Sequence, residues 1–162
     1  MESIEQNLAD AGLVLPSPST ASPLYAPAIL SGNLIYTSGQ LPMVDGVLAS
    51  RGGVGRVSAA RLEDASLASR IALINALAAI RTVTGSLDAI TQVVRLTLYV
   101  SSEPDFTGQH LVANAASTVL LDIFKERGRH VRSAVGVACL PLDASLELEL
   151  IVAYNPSFPP SH

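Results

Sequence analysis

Arg129-His130-Val131-Arg132-Ser133-Ala134-Val135-Gly136-Val137-Ala138-Cys139-Leu140-Pro141, followed by Leu146-Glu147-Leu148-Glu149-Leu150, is the stretch on which the fold turns. Apolar residues recur at alternate positions in both segments, which reads as two closing strands, Arg132 to Ala138 and Ser145 to Tyr154. Side chains two apart on a strand share a side, so His130 pairs with Arg132 and Glu147 with Glu149. Charges on segments that otherwise read as buried sheet mark a candidate site.

Moving back along the chain, Ser101-Ser102-Glu103-Pro104-Asp105 reads as a helix start, with Asp105 as the cap of a helix running to about Glu126. His110 and Asn114, four apart, lie on one face of it. Ile90 to Val100 is rich in β-branched residues, and Val94, Leu96, Leu98 and Val100 alternate with Arg95, Thr97 and Tyr99, predicting a strand. Ser58 to Thr84 has helical periodicity in Leu62, Ala65, Leu67, Ile71, Ile74, Leu77, Ala78 and Val83, with Gly85 as the stop. Asn75 inside that run reads as an amide bonded to backbone or a neighbouring subunit. Arg51-Gly52-Gly53-Val54-Gly55 lacks both G-x-G-x-x-G and a Gly-Lys-Ser/Thr ending, so it reads as a flexible surface loop and not a phosphate cradle.

Tyr25 to Leu30 and Leu34 to Gly39 flank Ser31-Gly32-Asn33 as a hairpin, and Val44-Asp45-Gly46-Val47-Leu48 suggests a further short β segment. At the front, Ser3-Ile4-Glu5-Gln6 has the form of a capping box for a short helix, Ser3 to Ala11. Leu15 to Pro23 is a proline-rich connector, and Asn155 to His162 reads as a loose tail. The predicted fold class is α+β, with two long helices on one face of a mixed sheet, in a single domain over 1–162 whose core is about 24–154.

Of the 162 residues 49% are apolar and only 15% charged, which predicts that apolar surface is covered by other subunits. A net charge of −4 without any Lys/Arg cluster argues against a nucleic-acid partner. Cys139, the one cysteine, allows no internal disulfide and reads as a small buried residue; a cytoplasmic location is expected. No apolar run approaches bilayer-spanning length, so no membrane partner is expected, and nothing has metal-ligand spacing. No Ser-His-Asp arrangement can be supported from sequence order alone.

Gly32-Asn33-Leu34-Ile35-Tyr36-Thr37-Ser38-Gly39-Gln40-Leu41-Pro42 resembles the signature hairpin of the RidA family, also called YjgF or L-PSP. The resemblance continues in order at Asn75, Pro104-Asp105-Phe106, Arg132-Ser133 with Leu140-Pro141, and Glu147-Leu148-Glu149. The N-terminal helix and the Gln109 to Ser117 stretch resemble a longer subgroup of that family. The resemblance implies a chorismate-mutase-like fold, a homotrimer with clefts between subunits, and cofactor-free hydrolysis of reactive enamines and imines to 2-oxo acids and ammonia. Alternatives are a non-catalytic or regulatory trimer that binds a small carboxylate, and an endoribonuclease.

Carried over residue by residue, the resemblance makes Arg132 the partner of the substrate carboxylate and Glu147 the group that positions water for proton transfer. Tyr25 lies at the cleft mouth, Ser38 and Gly39 meet the substrate from the other side, and Ser133 accompanies Arg132. The family asparagine of the second helix falls on His110 by direct count, with Asn114 one turn later, and His130 adds an imidazole two residues before the arginine. The cysteine often found two residues after that arginine is Ala134 here. A salt bridge from Arg132 to Glu147 or Glu149 is the structural alternative to the ligand role.

Overall fold

The hairpin forms as β1 (Ala28–Ser31) and β2 (Leu34–Thr37), and its turn places Gly32 at φ +62°, a conformation open to glycine at no steric cost. The structure, a computed structural model, describes residues 3–17, 24–155 and 157. Most of the proline-rich connector, 18–23, and most of the tail, 156 and 158–162, lie outside the described residues. β3 (Met43–Val44) and β4 (Val47–Leu48) make a small separate ribbon, turned by Asp45 and Gly46, both at positive φ as a type I′ turn demands. After α2 (Leu62–Thr84) come β5 (Ile90–Ser101), α3 (Gln109–Phe124), β6 (Val131–Val137) and β7 (Leu146–Tyr154).

The main sheet runs in the order β1-β2-β7-β5-β6. Only β5 and β6 are parallel, as they must be when α3 carries the chain between them; the other pairs are antiparallel. Leu96, Leu98 and Val100 of β5 stand beside Leu150, Leu148 and Leu146 of β7, and all six are fully buried on the face that the helices cover. This is the predicted mixed α+β arrangement, with β6 left as an edge.

Several local expectations change. The strand β5 carries register irregularities between Ile90 and Gln92 and between Val93 and Arg95, so Val93 and not Val94 turns into the core. Helix α3 starts at Gln109: Asp105 is no cap, because Phe106 N–H closes a turn onto the Glu103 carbonyl at 3.0 Å and Gly108 takes the capping position. The core stripe of α2 is Ala65, Ala68, Ala72, Leu73, Ala76, Leu77 and Ile80, while Leu67 and Ile71 are only half-buried. Four alanines stand there with Leu73, Leu77 and Ile80, all of them buried where α2 packs against α3 and the sheet. By length and composition Ala59–Thr84 is apolar enough to cross a bilayer, but its buried side is this core stripe.

The glycine segment is not a flexible loop. Gly52 and Gly53 are buried, and a Cβ on either would overlap the backbone carbonyl of Asp64 or Ala49. Their peptide groups are spent locally: Gly53 N–H donates to Ala49, Ser145 N–H donates to the Gly53 carbonyl, and Gly55 N–H donates to Asp143. Cys139 is exposed, not buried, because the chain leaves the sheet after Val137 and Ala138–Leu140 lie outside it.

The first helix, α1 (Ile4–Asp10), keeps half of its predicted capping box: Ser3 Oγ accepts from Gln6 N–H at 3.2 Å, but the Gln6 side chain turns to Asp10. Asp88 supplies the rest, accepting from Ile4 N–H at 2.6 Å and Glu5 N–H at 3.2 Å, and Glu5 in turn accepts from Leu87 N–H at 2.9 Å. Ile4 and Leu8 then bury against the core, and Asn7 donates to the Ile123 carbonyl at 2.8 Å, pinning α1 to the end of α3.

Candidate functional site

Arg132 stands on the edge strand β6 in register with Leu96, so it points to the helix side of the sheet. There α3 offers one polar face, His110, Asn114 and Ser117, spaced four and then three residues apart. Arg132 Nη1 donates to Asn114 Oδ1 at 2.9 Å and to Ser117 Oγ at 3.1 Å, and Nη2 reaches the His110 carbonyl at 3.4 Å. Three of the five guanidinium hydrogens are thereby spent on α3, leaving Nε–H and one Nη2–H without a protein partner among the described residues. The edge position explains why: no further strand covers Arg132 on that side.

His130 joins the same cluster. Its Nδ1 lies 2.6 Å from the Gly128 carbonyl and its Nε2 lies 3.0 Å from Ser117 Oγ. Asn114, and not the His110 imidazole, therefore supplies the side-chain oxygen facing Arg132; His110 contributes its carbonyl while its ring is exposed. Ser117 was missed from sequence, although it shares the helical face of His110 and Asn114, because a mid-helix hydroxyl ordinarily bonds its own backbone.

Glu147 faces the other way. It stands in register with Tyr99, one side-chain step out of phase with the buried Leu146 and Leu148, so it lies on the sheet face that no helix covers. Burial first, and the Glu149 charge second, push its carboxyl above the usual glutamate range. Gly39 abuts it: a Cβ there would overlap the Glu147 carboxylate as it is placed, so a larger residue would make the acid shift. Ser38 spends its hydroxyl on the Ala26 carbonyl at 2.6 Å, and Gln40 pairs with Leu148 through both backbone groups, locking the Gly39 segment beside β7. Ser133 also belongs to this open face, where Arg95 Nη1 donates to its Oγ at 3.3 Å. Tyr25, ahead of β1, is exposed.

No bridge joins Arg132 to Glu147 or Glu149, and the register places them on opposite faces of one sheet. Apart from Tyr25 and Ser38, the expected site residues thus fall into two groups, Arg132, Asn114, His110 and His130 on the helix side, Glu147, Gly39 and Ser133 on the open side. Asn75 is in neither; its amide donates to the Leu41 and Met43 carbonyls, both at 3.0 Å, holding the β3 ribbon against α2. It lines a separate cleft of about 530 Å³ with Gln40, Met43 and Asp45. Among the described residues no group of three or more His, Cys, Asp or Glu side chains converges to hold a metal ion.

Beside its acids and Arg95, the open face carries exposed apolar side chains. Ile29, Tyr36, Ile151, Arg95 and Val131 form one cross-strand row, and Ile29 and Val131 are 56% and 58% exposed. Val135, beside Tyr99, extends the patch.

Comparison with known proteins follows the same lines. Residues 5–154 match the family described as "YjgF/chorismate mutase-like, putative endoribonuclease". A protein of unknown function from Agrobacterium tumefaciens, Atu1372, is 41% identical with a TM-score of 0.80, over 94% of this chain and 92% of its own. A structure described as a putative endoribonuclease from Shewanella oneidensis is 30% identical with a TM-score of 0.85, over 94% of this chain and 99% of its own. Protein TCP17 of Trypanosoma cruzi is 35% identical over 94% of each chain.

Proposed function

The chain belongs to the YjgF/chorismate-mutase-like family, the RidA family, and from that premise we propose that it hydrolyses small carboxylated enamines or imines to 2-oxo acids and ammonia in clefts shared between subunits of a homotrimer. The observation that carries the reading is the state of Arg132: a guanidinium fixed by Asn114, Ser117 and the His110 carbonyl, with Nε–H and one Nη2–H left over. Two N–H groups on a held plane suit a carboxylate, and holding the side chain beforehand lowers the entropy cost of binding it.

Once the carboxylate is seated, hydrolysis needs a base to take a proton from water as its oxygen adds to the imine carbon. The carbinolamine then loses ammonia and leaves the 2-oxo acid. Glu147 fits the base, since burial raises its basicity toward the operating range. Its place on the sheet face opposite Arg132 supports a cleft between chains, because one chain does not bring both groups to one substrate. The exposed Ile29, Tyr36, Val131 and Val135 supply the apolar surface such an assembly would cover. The reading requires no cofactor, metal, nucleic acid or membrane and goes with a cytoplasmic location.

To test it, 2-aminoacrylate is generated in situ by a dehydratase and its lifetime followed. Wild type should shorten it, and Arg132→Ala should lose about 100-fold or more of that acceleration, the scale of a charged hydrogen-bonded pair. Equal lifetimes with wild type and Arg132→Ala would reject imine hydrolysis. If the wild type is inert yet a 2-oxo acid raises its melting temperature only when Arg132 is present, the site binds carboxylates without turning them over.

A further inference from the structure

Among the described residues Ser117 reaches a side chain where other hydroxyls of the long helices bond backbone: Ser66, Thr82 and Thr84 donate to the Leu62, Ala79 and Ile80 carbonyls of their own helix, and Ser69 donates to the Val112 carbonyl of α3. Its partner, His130, has a defined tautomer. The Gly128 carbonyl can only accept, so His130 Nδ1 carries the proton of the neutral ring. The other nitrogen, Nε2, is then an acceptor, and across 3.0 Å the Ser117 hydroxyl donates to it. Arg132 Nη1 donates to the same Oγ at 3.1 Å, where its charge favours the alkoxide. A nucleophile bonded to a base, a base oriented by a third group, and a fixed cation beside the reacting oxygen are the three parts of activated-serine chemistry.

We infer that Ser117 is a nucleophile with His130 as its base, giving this cluster a hydrolytic activity on small carboxylic esters. Ser117 Oγ adds to the ester carbonyl carbon while its proton passes to His130 Nε2, and the new oxyanion forms beside the Arg132 guanidinium. Collapse breaks the bond to the alkoxy oxygen, which leaves as the alcohol with the proton from His130. Water then adds to the acyl-Ser117, gives a proton to Nε2, and releases the carboxylic acid as Ser117 recovers its hydrogen. Ester and water become acid and alcohol, with nothing else consumed. Gly128 orients the imidazole with a neutral carbonyl and not a carboxylate, so the imidazolium gains less support and turnover should be slow. The inference stands apart from imine hydrolysis, because acylation of Ser117 needs no imine.

The test treats the full chain with diisopropyl fluorophosphate, maps the adduct by peptide mass spectrometry, and follows release of 4-nitrophenol from 4-nitrophenyl acetate. Expected are one phosphoryl adduct on Ser117, its loss in Ser117→Ala, and labelling at least about 100-fold slower in His130→Gln, the usual scale of a general base. Thr118→Ala, an exposed neighbour, should label as wild type does, and circular dichroism checks that each variant is folded. A wild type that stays unlabelled under conditions that saturate a serine esterase overturns the inference. So does an adduct that survives in Ser117→Ala, or equal labelling rates in wild type and folded His130→Gln.

Discussion

At Arg132 the geometry separates two roles that a cation on an edge strand can take. A structural ion pair would spend the charge on a carboxylate, but every partner of Arg132 is neutral: an amide oxygen, a hydroxyl and a carbonyl. These partners aim the group without neutralising it, which is what an anion site requires. Glu147 presents the opposite case, an acid held where ionisation is disfavoured by burial and by Glu149. Its folded pKa lies above the unfolded value, so the stability tied to its proton is fully present below the ordinary glutamate range and is lost as pH rises through the raised value. Glu147→Gln, which removes that dependence, should therefore melt higher than wild type at neutral pH, with the gap closing in acid; thermal melts across pH check it, and a lower melting temperature at neutral pH would contradict the assignment. Arg132 and Glu147 were legible as charges out of place in strand patterns. That they lie on opposite faces follows only from strand register, which a single sequence does not display.

Among the elements, α1 depends on a residue far away in sequence. Asp88 accepts the Ile4 and Glu5 N–H groups and both its oxygens lie 3.1 Å from Ser3 Oγ, so it serves as the main cap of a helix that begins over eighty residues earlier. Asp88→Ala should cost about 1–2 kcal/mol in urea unfolding, the value of a charged cap, with a loss near zero as the contrary result. The Ser3 signal was readable and the helix formed where expected, but a distant acid has no local signature. The same limit hid the β5 irregularity at Val93 to Arg95, which is defined against β7, and the core stripe of α2, where Ala65, Ala68, Ala72 and Ala76 are buried while Leu67 and Ile71 are only half-buried. Element type and order were readable because periods of 2 and 3.6 are local properties of the chain.

For the whole molecule, one sheet face is sealed by helices and the other carries Ile29, Tyr36, Val131 and Val135 in solvent. A trimer built on that face predicts a light-scattering mass about three times the 16.9 kDa chain, and Val135→Asp, which puts a charge into the patch, should lower it toward one chain. An unchanged mass in that variant would move the interface elsewhere. The most direct test of a cleft shared between chains is subunit mixing. Arg132→Ala and Glu147→Gln, each expected to be nearly inactive alone toward 2-aminoacrylate, are unfolded together in equal amounts and refolded. If one chain gives Arg132 and its neighbour Glu147, about a quarter of the clefts are intact, and activity should return to roughly a quarter of wild type. Activity no greater than that of the two variants refolded separately would contradict the shared cleft.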